Sequence, residues 1–241
     1  MATALQQSLT AVLFPIVAIV GGGLLATVRP PGPLLRSAVQ HFTAGVVFAA
    51  IAGELLPDVL HQRAPVPVVL GFAAGVAAMF GVRRLTERLA RSGSGAATLP
   101  LGLLAAVAVD ALLDGLVIGI GFAAGARAGV LIVVALTLEM LFLGLATAAS
   151  LLADGAGRGR VLAFTAALAP VLAIGAALGT TLLSGLTGGA LGGVLAFGCA
   201  ALLYLVTEEL LIEAHEVAET PLVTSLFFVG FLVLLTIEML L

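Results

Sequence analysis

The chain has 241 residues, of which 61% are hydrophobic and 10% charged, and its mean hydropathy is +1.26. A soluble domain of this length does not carry such a composition, so the chain reads as an integral membrane protein. All ten basic residues are arginines, the net charge is −3, and no basic run suits nucleic acid. The single cysteine, Cys199, excludes an intrachain disulfide and a cysteine-based metal site.

The apolar stretches are helix-length and lack two-residue alternation, which predicts an all-α bundle rather than a transmembrane barrel. Eight passes are expected, forming one transmembrane domain over residues 1–241. The first covers about 5–28; its leader MATALQQ lacks the positive n-region of a signal peptide, so it is read as a true span. RPPGP marks a turn, and pass two, about 38–60, ends in ELLPDVLHQRAP. Pass three covers about 66–82, and RRLTERLARSGSGAATLP follows as a basic segment dissolving into a Gly/Ser/Ala linker.

Pass four covers about 101–124, and a short loop around Arg127 leads to pass five, about 129–153. DGAGRGR precedes pass six, about 161–186, and TGG opens pass seven, about 190–212. EAHEVAETP leads to pass eight, about 222–241. Arg29, Arg36, Arg83, Arg84, Arg88, Arg91, Arg158 and Arg160 fall in the odd-numbered connections, whereas the others hold only Arg63 and Arg127. The positive-inside rule then makes the odd-numbered loops cytoplasmic and both termini extracytoplasmic, in the cell membrane.

Pass four carries Asp110 and Asp114, four residues apart and therefore on one helix face. An ionised carboxylate at the bilayer centre costs roughly 2.5 to 3.5 kcal/mol even on the lenient insertion scale, and two side by side also repel each other. At 1.5 Å rise per residue Asp110 lies on the order of 14 Å into its pass, and Glu139 of pass five, running the other way, lies at a similar depth. No arginine falls inside a predicted pass. Protonation, a water-filled cavity or a bound cation remains to offset the cost.

Passes two and seven share a string, Glu54-Leu-Leu-Pro-Asp58 and Glu209-Leu-Leu-Ile-Glu213, about 155 positions apart. Related sequence in passes of opposite direction is what an inverted repeat leaves, with passes one to three mirrored by six to eight around four and five. Glu54 and Asp58 then mark an outer mouth, and Glu208, Glu209 and Glu213 an inner one, a row that suits a cation path. His41 and His61, at the ends of pass two, read as interfacial side chains. Glu216 and Glu219 read as solvated loop charges, and Glu238 has no evident partner. Small residues at four-residue spacing, such as Gly71 and Gly75 or Gly115 and Gly119, predict close helix packing.

These residues resemble the ZIP (ZRT/IRT-like) divalent metal transporters, whose fourth helix carries His-Asn-x-Pro-Glu-Gly-x-Ala-x-Gly. Here Asp114, Gly115 and Gly119 stand at that string's Glu, Gly and Gly, and Asp110 stands at its His. In pass five Glu139 matches the family's first ligand, while Met140 and Leu143 stand where further acids are expected. Pass seven is similar to the family's His-Glu-x-x-Pro-Glu-Ser/Thr-His as Glu208-Glu209-Leu-Leu-Ile-Glu213-Ala-His215. Ala111, Met140 and Leu143 remove most ligands of the family's second metal position, and Leu113 and Phe142 replace its helix-bending prolines. The His-rich cytoplasmic loop of the family is absent.

The resemblance implies eight passes in a three-plus-two-plus-three layout, a homodimer in the lipid bilayer, and transport of a divalent cation by alternating access. It implies Asp110, Asp114, Glu139, Glu208, Glu209, Glu213 and His215 as metal residues. Zinc is the family default; a carboxylate-rich set also suits harder cations such as Mn or ferrous iron. A proton- or sodium-coupled solute carrier and a non-transporting scaffold or sensor are the alternatives. An enzyme is not expected, because no nucleophile and base pair inside the passes, and no cofactor is called for beyond the transported ion.

Overall fold

The computed structural model describes residues 2–29, 32–92, 101–183, 185–217 and 220–240, and among these there is no strand. Pro30, Pro31, the linker of residues 93–100 and Glu219 lie outside the described residues. Among the described residues eight helices are long and apolar enough to cross a membrane. They are α1 (Thr3–Val28), α2 (Pro33–His61), α3 (Pro65–Leu85), α4 (Val107–Ala124), α5 (Ala126–Ala153), α6 (Arg158–Leu183), α7 (Gly188–Ala214) and α8 (Pro221–Leu240). The helix containing α3 continues to Ser92, and the one containing α4 begins at Leu101.

The ends depart from the hydropathy reading where local chemistry overrides it. α2 begins at Pro33, five residues before the apolar run, because a proline in the first turn loses no hydrogen bond and arrives with a helical φ. The chain resumes helix one residue after Gly125, so Arg127 lies in the first turn of α5 rather than in a loop. α7 runs past Ile212 and carries Glu213 within the helix. In α1 the helix is interrupted at Val12, between Ala2–Ala11 and Leu13–Val28, next to Pro15, whose missing N–H leaves the preceding turn a carbonyl short of a donor.

The helices pack most closely as four pairs: α1 with α5, α2 with α8, α3 with α7, and α4 with α6. Glycines make each approach possible. A Cβ added at Gly22 would lie 2.0 Å from the Leu141 carbonyl oxygen, and one at Gly144 2.1 Å from that of Ile19. The same distances are 1.9 Å from Gly45 to Phe227 O and 2.1 Å from Gly230 to Phe42 O, joining α2 to α8. Gly71 and Gly75 serve α3 against α7, and Gly115, Gly119, Gly175 and Gly179 serve α4 against α6. Without a hydrophobic drive between helices in lipid, such backbone proximity is a main source of association.

The pairs combine into two groups of four, α1, α4, α5 and α6 in one and α2, α3, α7 and α8 in the other, which meet where α4 and α5 lie against α2, α3 and α7. α3 and α8 are the least buried spans and α7 the most buried. Two π-helical turns interrupt the ladder, Ile51–Leu55 in α2 and Leu205–Leu210 in α7. Each contains one acid of the shared string, Glu54 and Glu209 respectively. A π turn leaves backbone groups out of the α-helical pattern and re-aims the side chains that follow.

The packing yields a stability prediction. In Gly115→Ala the new Cβ would lie 2.1 Å from Leu172 O, which is backbone and cannot swing away, whereas Gly81 has nothing within 4 Å. Gly115→Ala is expected to cost about 1 to 3 kcal/mol, the range for overpacking a tight core. Gly81→Ala should be neutral. Thermal unfolding followed by size-exclusion elution in detergent compares the two; equal midpoints would contradict the close α4–α6 contact.

Candidate metal centre

α4 and α5 build the centre between them. Gly115 and Gly119 seat α4 on α6, and Gly144 seats α5 on α1. The α4–α5 contact itself is held by Gly121 and Gly129, whose added Cβ atoms would meet Ile132 and the Phe122 ring. Against this scaffold Asp110 and Asp114, one turn apart, face Glu139. One carboxylate oxygen from each lies within 4.8 Å of the other two. Among the described residues no other three His, Cys, Asp or Glu side chains converge in this way.

Asp114 and Glu139 are buried, 4% and 3% exposed, and Asp110 is partly buried. Asp114 Oδ2 and Glu139 Oε2 are shielded from solvent and have no hydrogen-bond partner among the described residues. Among the described residues the ion pairs lie toward the ends of the helices, and none reaches these three acids. Three crowded carboxyl groups, two of whose oxygens have no donor among the described residues, form an acceptor-rich cage. Its repulsion is relieved by protons or by a cation, and carboxylate oxygens in such number suit a divalent ion.

A cavity of about 730 Å³ reaches the centre from the arginine-rich end, where α2 begins and α3, α5 and α7 finish. The buried Glu139 and Tyr204 and the partly buried Asp110 and Glu209 line it, together with the more exposed side chains of Arg36, Arg83, Glu208 and Glu213 at its rim. Arg36 Nη2 donates to Glu213 Oε2 at 3.0 Å, and Gln40 Nε2 donates to the same oxygen. Arg83 donates through Nη1 to Glu208 Oε2 at 3.2 Å and through Nε to Glu87 Oε1 at 3.2 Å. Glu209 takes part in none of these hydrogen bonds and stands inward of Arg83, whose charge acts on it.

At the opposite end Arg127 Nε donates to Glu54 Oε1 at 3.1 Å, and its Nη2 donates to the Glu238 carbonyl oxygen at 2.7 Å. Glu238 Oε1 is 4.0 Å from the same nitrogen. Glu238 therefore has a partner, contrary to the sequence reading, because the end of α8 comes back over the first turn of α5. Asp58, one turn beyond Glu54, is partly buried and joins no ion pair among the described residues.

His215 is not brought to the central acids. It is exposed at the end of α7, with its ring edge-on to His41 at a centroid distance of 5.1 Å. His41 is fully buried rather than interfacial, its Nδ1 2.9 Å from Ser37 O. Ser37 Oγ donates to Ala214 O at 2.6 Å, so the start of α2 is tied to the end of α7 and encloses the imidazole. His61 is exposed, as expected of an interfacial side chain. Arg127, Gln40 and Tyr204 were not singled out by sequence reasoning. Arg127 is one of only two arginines at the arginine-poor end, which is a signal for it, whereas the contact of Gln40 with Glu213 arises from the approach of α2 to α7, distant in sequence.

No family model matches the chain, and no curated protein matches it. The functional reading therefore rests on the geometry of the centre and on the pattern of the sequence.

Proposed function

We propose that the protein carries divalent cations across a membrane by alternating access, with Asp110, Asp114 and Glu139 as the central ligands. The observation that carries this reading is the convergence of three carboxylates, without a basic partner, at the deep end of a cavity open to one side. Glu209 serves as a stepping ligand on the cavity side, with Glu208 and Glu213 at its rim, and Glu54 and Asp58 stand at the other mouth. With the arginine-rich end cytoplasmic, the cavity faces inward and both termini are extracytoplasmic. On this reading the chain is a divergent ZIP-like transporter of the cell membrane. Zinc remains the default cargo, and the all-oxygen centre favours Mn or ferrous iron beside it. The lipid-exposed α3 and α8 are the available surfaces for the homodimer that the resemblance implies.

An inverted repeat is the device that supports alternating access, and contacts at a common offset argue for it. Glu209 follows Glu54, and Glu213 follows Asp58, by 155 positions. The same offset relates Phe42 to Phe197 and Gly75 to Gly230, and the two glycines approach those two carbonyls, Gly230 that of Phe42 and Gly75 that of Phe197. Shifted by that offset, the first π turn falls within the second. The correspondence extends to the central helices: Glu139 follows Asp110, and Gly144 follows Gly115, by 29 positions. Gly115 faces Leu172 O and Gly175 faces Leu112 O, as Gly144 faces Ile19 O and Gly22 faces Leu141 O. Asp110 and Glu139 are then equivalent across one axis, with the centre astride it, where two halves can exchange conformations about a fixed site.

The test is uptake by the purified protein in liposomes across Mg, Mn, Fe, Co, Zn and Cd. Saturable uptake of at least one of these ions, absent from empty liposomes, is expected. Uptake of none would leave the carboxylates as protonated structural acids.

A further inference from the structure

The two ends of the molecule are related in position but not in charge. Arg83 and Glu238 occupy equivalent places near the ends of α3 and α8, and Glu208 and Gly53 equivalent places on α7 and α2, each 155 positions apart. At the arginine-rich end Arg83 meets Glu208, and Arg36 meets Glu213. Both pairs close within one group of helices. At the opposite end Glu238 lies against Gly53, where an added Cβ would be 2.1 Å from its Oε2. Glu54 and Glu238, two acids of that group, thus stand together, and among the described residues neither forms an ion pair with an arginine of its own group.

The cation comes from the other group. Arg127, in the first turn of α5, spans Glu54 on α2 and both the carbonyl and the carboxylate of Glu238 on α8. The Glu54 and Glu238 side chains are only 12% and 16% exposed, while Arg127 reaches them from a half-exposed position, so the acids and not the cation are the shielded partners. The cavity that reaches the central acids lies at the other end, where Arg36 and Arg83 are engaged within their own group.

We propose that Arg127, Glu54 and Glu238 form a latch that clamps the two helix groups together at the end opposite the cavity, and that the latch releases when the centre opens there. The latch rests on the transport reading only for what the opening serves. Its existence is measurable without any metal. The charge asymmetry between related ends accounts for the resting state: the end whose acids borrow a cation across the group boundary is shut, and the end whose acids are satisfied internally is open.

Spin labels at Leu60→Cys on α2 and Val130→Cys on α5, both exposed positions, report the separation of the groups. A second pair, Leu60→Cys with Met239→Cys, reports integrity within one group. Both are placed in a Cys199→Ala background and measured by double electron–electron resonance in metal-free nanodiscs. The parent is expected to show one short distance across the groups. Arg127→Gln should raise the longer-distance population from under about a tenth to about half, with the within-group distance unchanged. Arg127→Glu should open the groups at least as far, and its combination with Glu54→Arg should restore the short distance.

An unchanged cross-group distribution in Arg127→Gln overturns the latch. So does an exchange variant that stays as open as Arg127→Glu alone. Should Arg127→Gln disturb the within-group pair, the exchange variant decides, since it keeps the charges and reverses only their placement. Uptake of no metal alongside a responding distance would defeat the transport reading and leave the latch standing. Metal uptake with an unresponsive distance would defeat the latch alone.

Discussion

Asp114→Asn is expected to weaken binding of a divalent cation by at least about 100-fold, because replacing a ligand costs no less than disturbing the groups that orient one. The amide keeps the size of the carboxylate and removes its charge. In the metal-free protein that removal is favourable: Asp114 is buried beside two other acids, and its Oδ2 has no donor to lose. Thermal stability without metal should therefore stay the same or rise while affinity collapses. Asp110→Asn should weaken binding less, since Asp110 borders the cavity, where water can complete the coordination of an ion. Calorimetric titration with Mn²⁺ and thermal unfolding in detergent read the two effects separately. Unchanged affinity in both variants would move the site elsewhere. A marked loss of metal-free stability in Asp114→Asn would make Asp114 a structural acid.

Cation binding should also release protons. Three acids within 4.8 Å, with no arginine among them, are balanced either by protons or by a cation, and the two compete because a ligating carboxylate must be ionised. Affinity should fall as pH falls, by about tenfold per pH unit for each proton displaced. Binding heats near neutral pH, measured in buffers of different ionisation enthalpy, count those protons directly. A heat that does not vary with buffer means no net release and contradicts the competition. Asp110→Asn should release fewer protons per ion bound. Should its release equal that of the parent while affinity drops, Asp110 is already ionised before the metal arrives, and the protons belong to Asp114 and Glu139.

The eight spans were legible because a bilayer demands long apolar runs, and the shared face of Asp110 and Asp114 because four residues nearly complete a helical turn. Their depth and that of Glu139 followed from counting residues. The approach of Glu139 to the aspartates depends on the α4–α5 contact, which arises from Gly121 and Gly129 meeting across the helices, and spacing within one pass carries no record of it. Helix ends were misread where a polar or proline residue extends a helix beyond its apolar run, as at Pro33 and Arg127. That error hid the first-turn placement of Arg127. The burial of His41 and the partner of Glu238 are tertiary facts: each is created by a helix distant in sequence. The acid-Leu-Leu-x-acid string was visible, but its coincidence with the two π turns was not, since the interruption of a helix depends on the neighbours packed against it. The 29-residue offset shared by Asp110 and Glu139 and by Gly115 and Gly144 was masked by the change from Asp to Glu and is recognisable only beside the glycine contacts.

The central claim is that Asp110, Asp114 and Glu139 hold a divalent ion on its way across the membrane. The most direct test sets the parent beside a variant carrying Asp110→Asn, Asp114→Asn and Glu139→Gln together, each in liposomes at equal protein density, and measures the initial rate of Mn²⁺ and Zn²⁺ uptake. The account predicts saturable uptake by the parent and a rate for the variant indistinguishable from protein-free liposomes, with the variant still eluting as a folded species. Equal rates for parent and variant would place the cation path elsewhere and contradict the account.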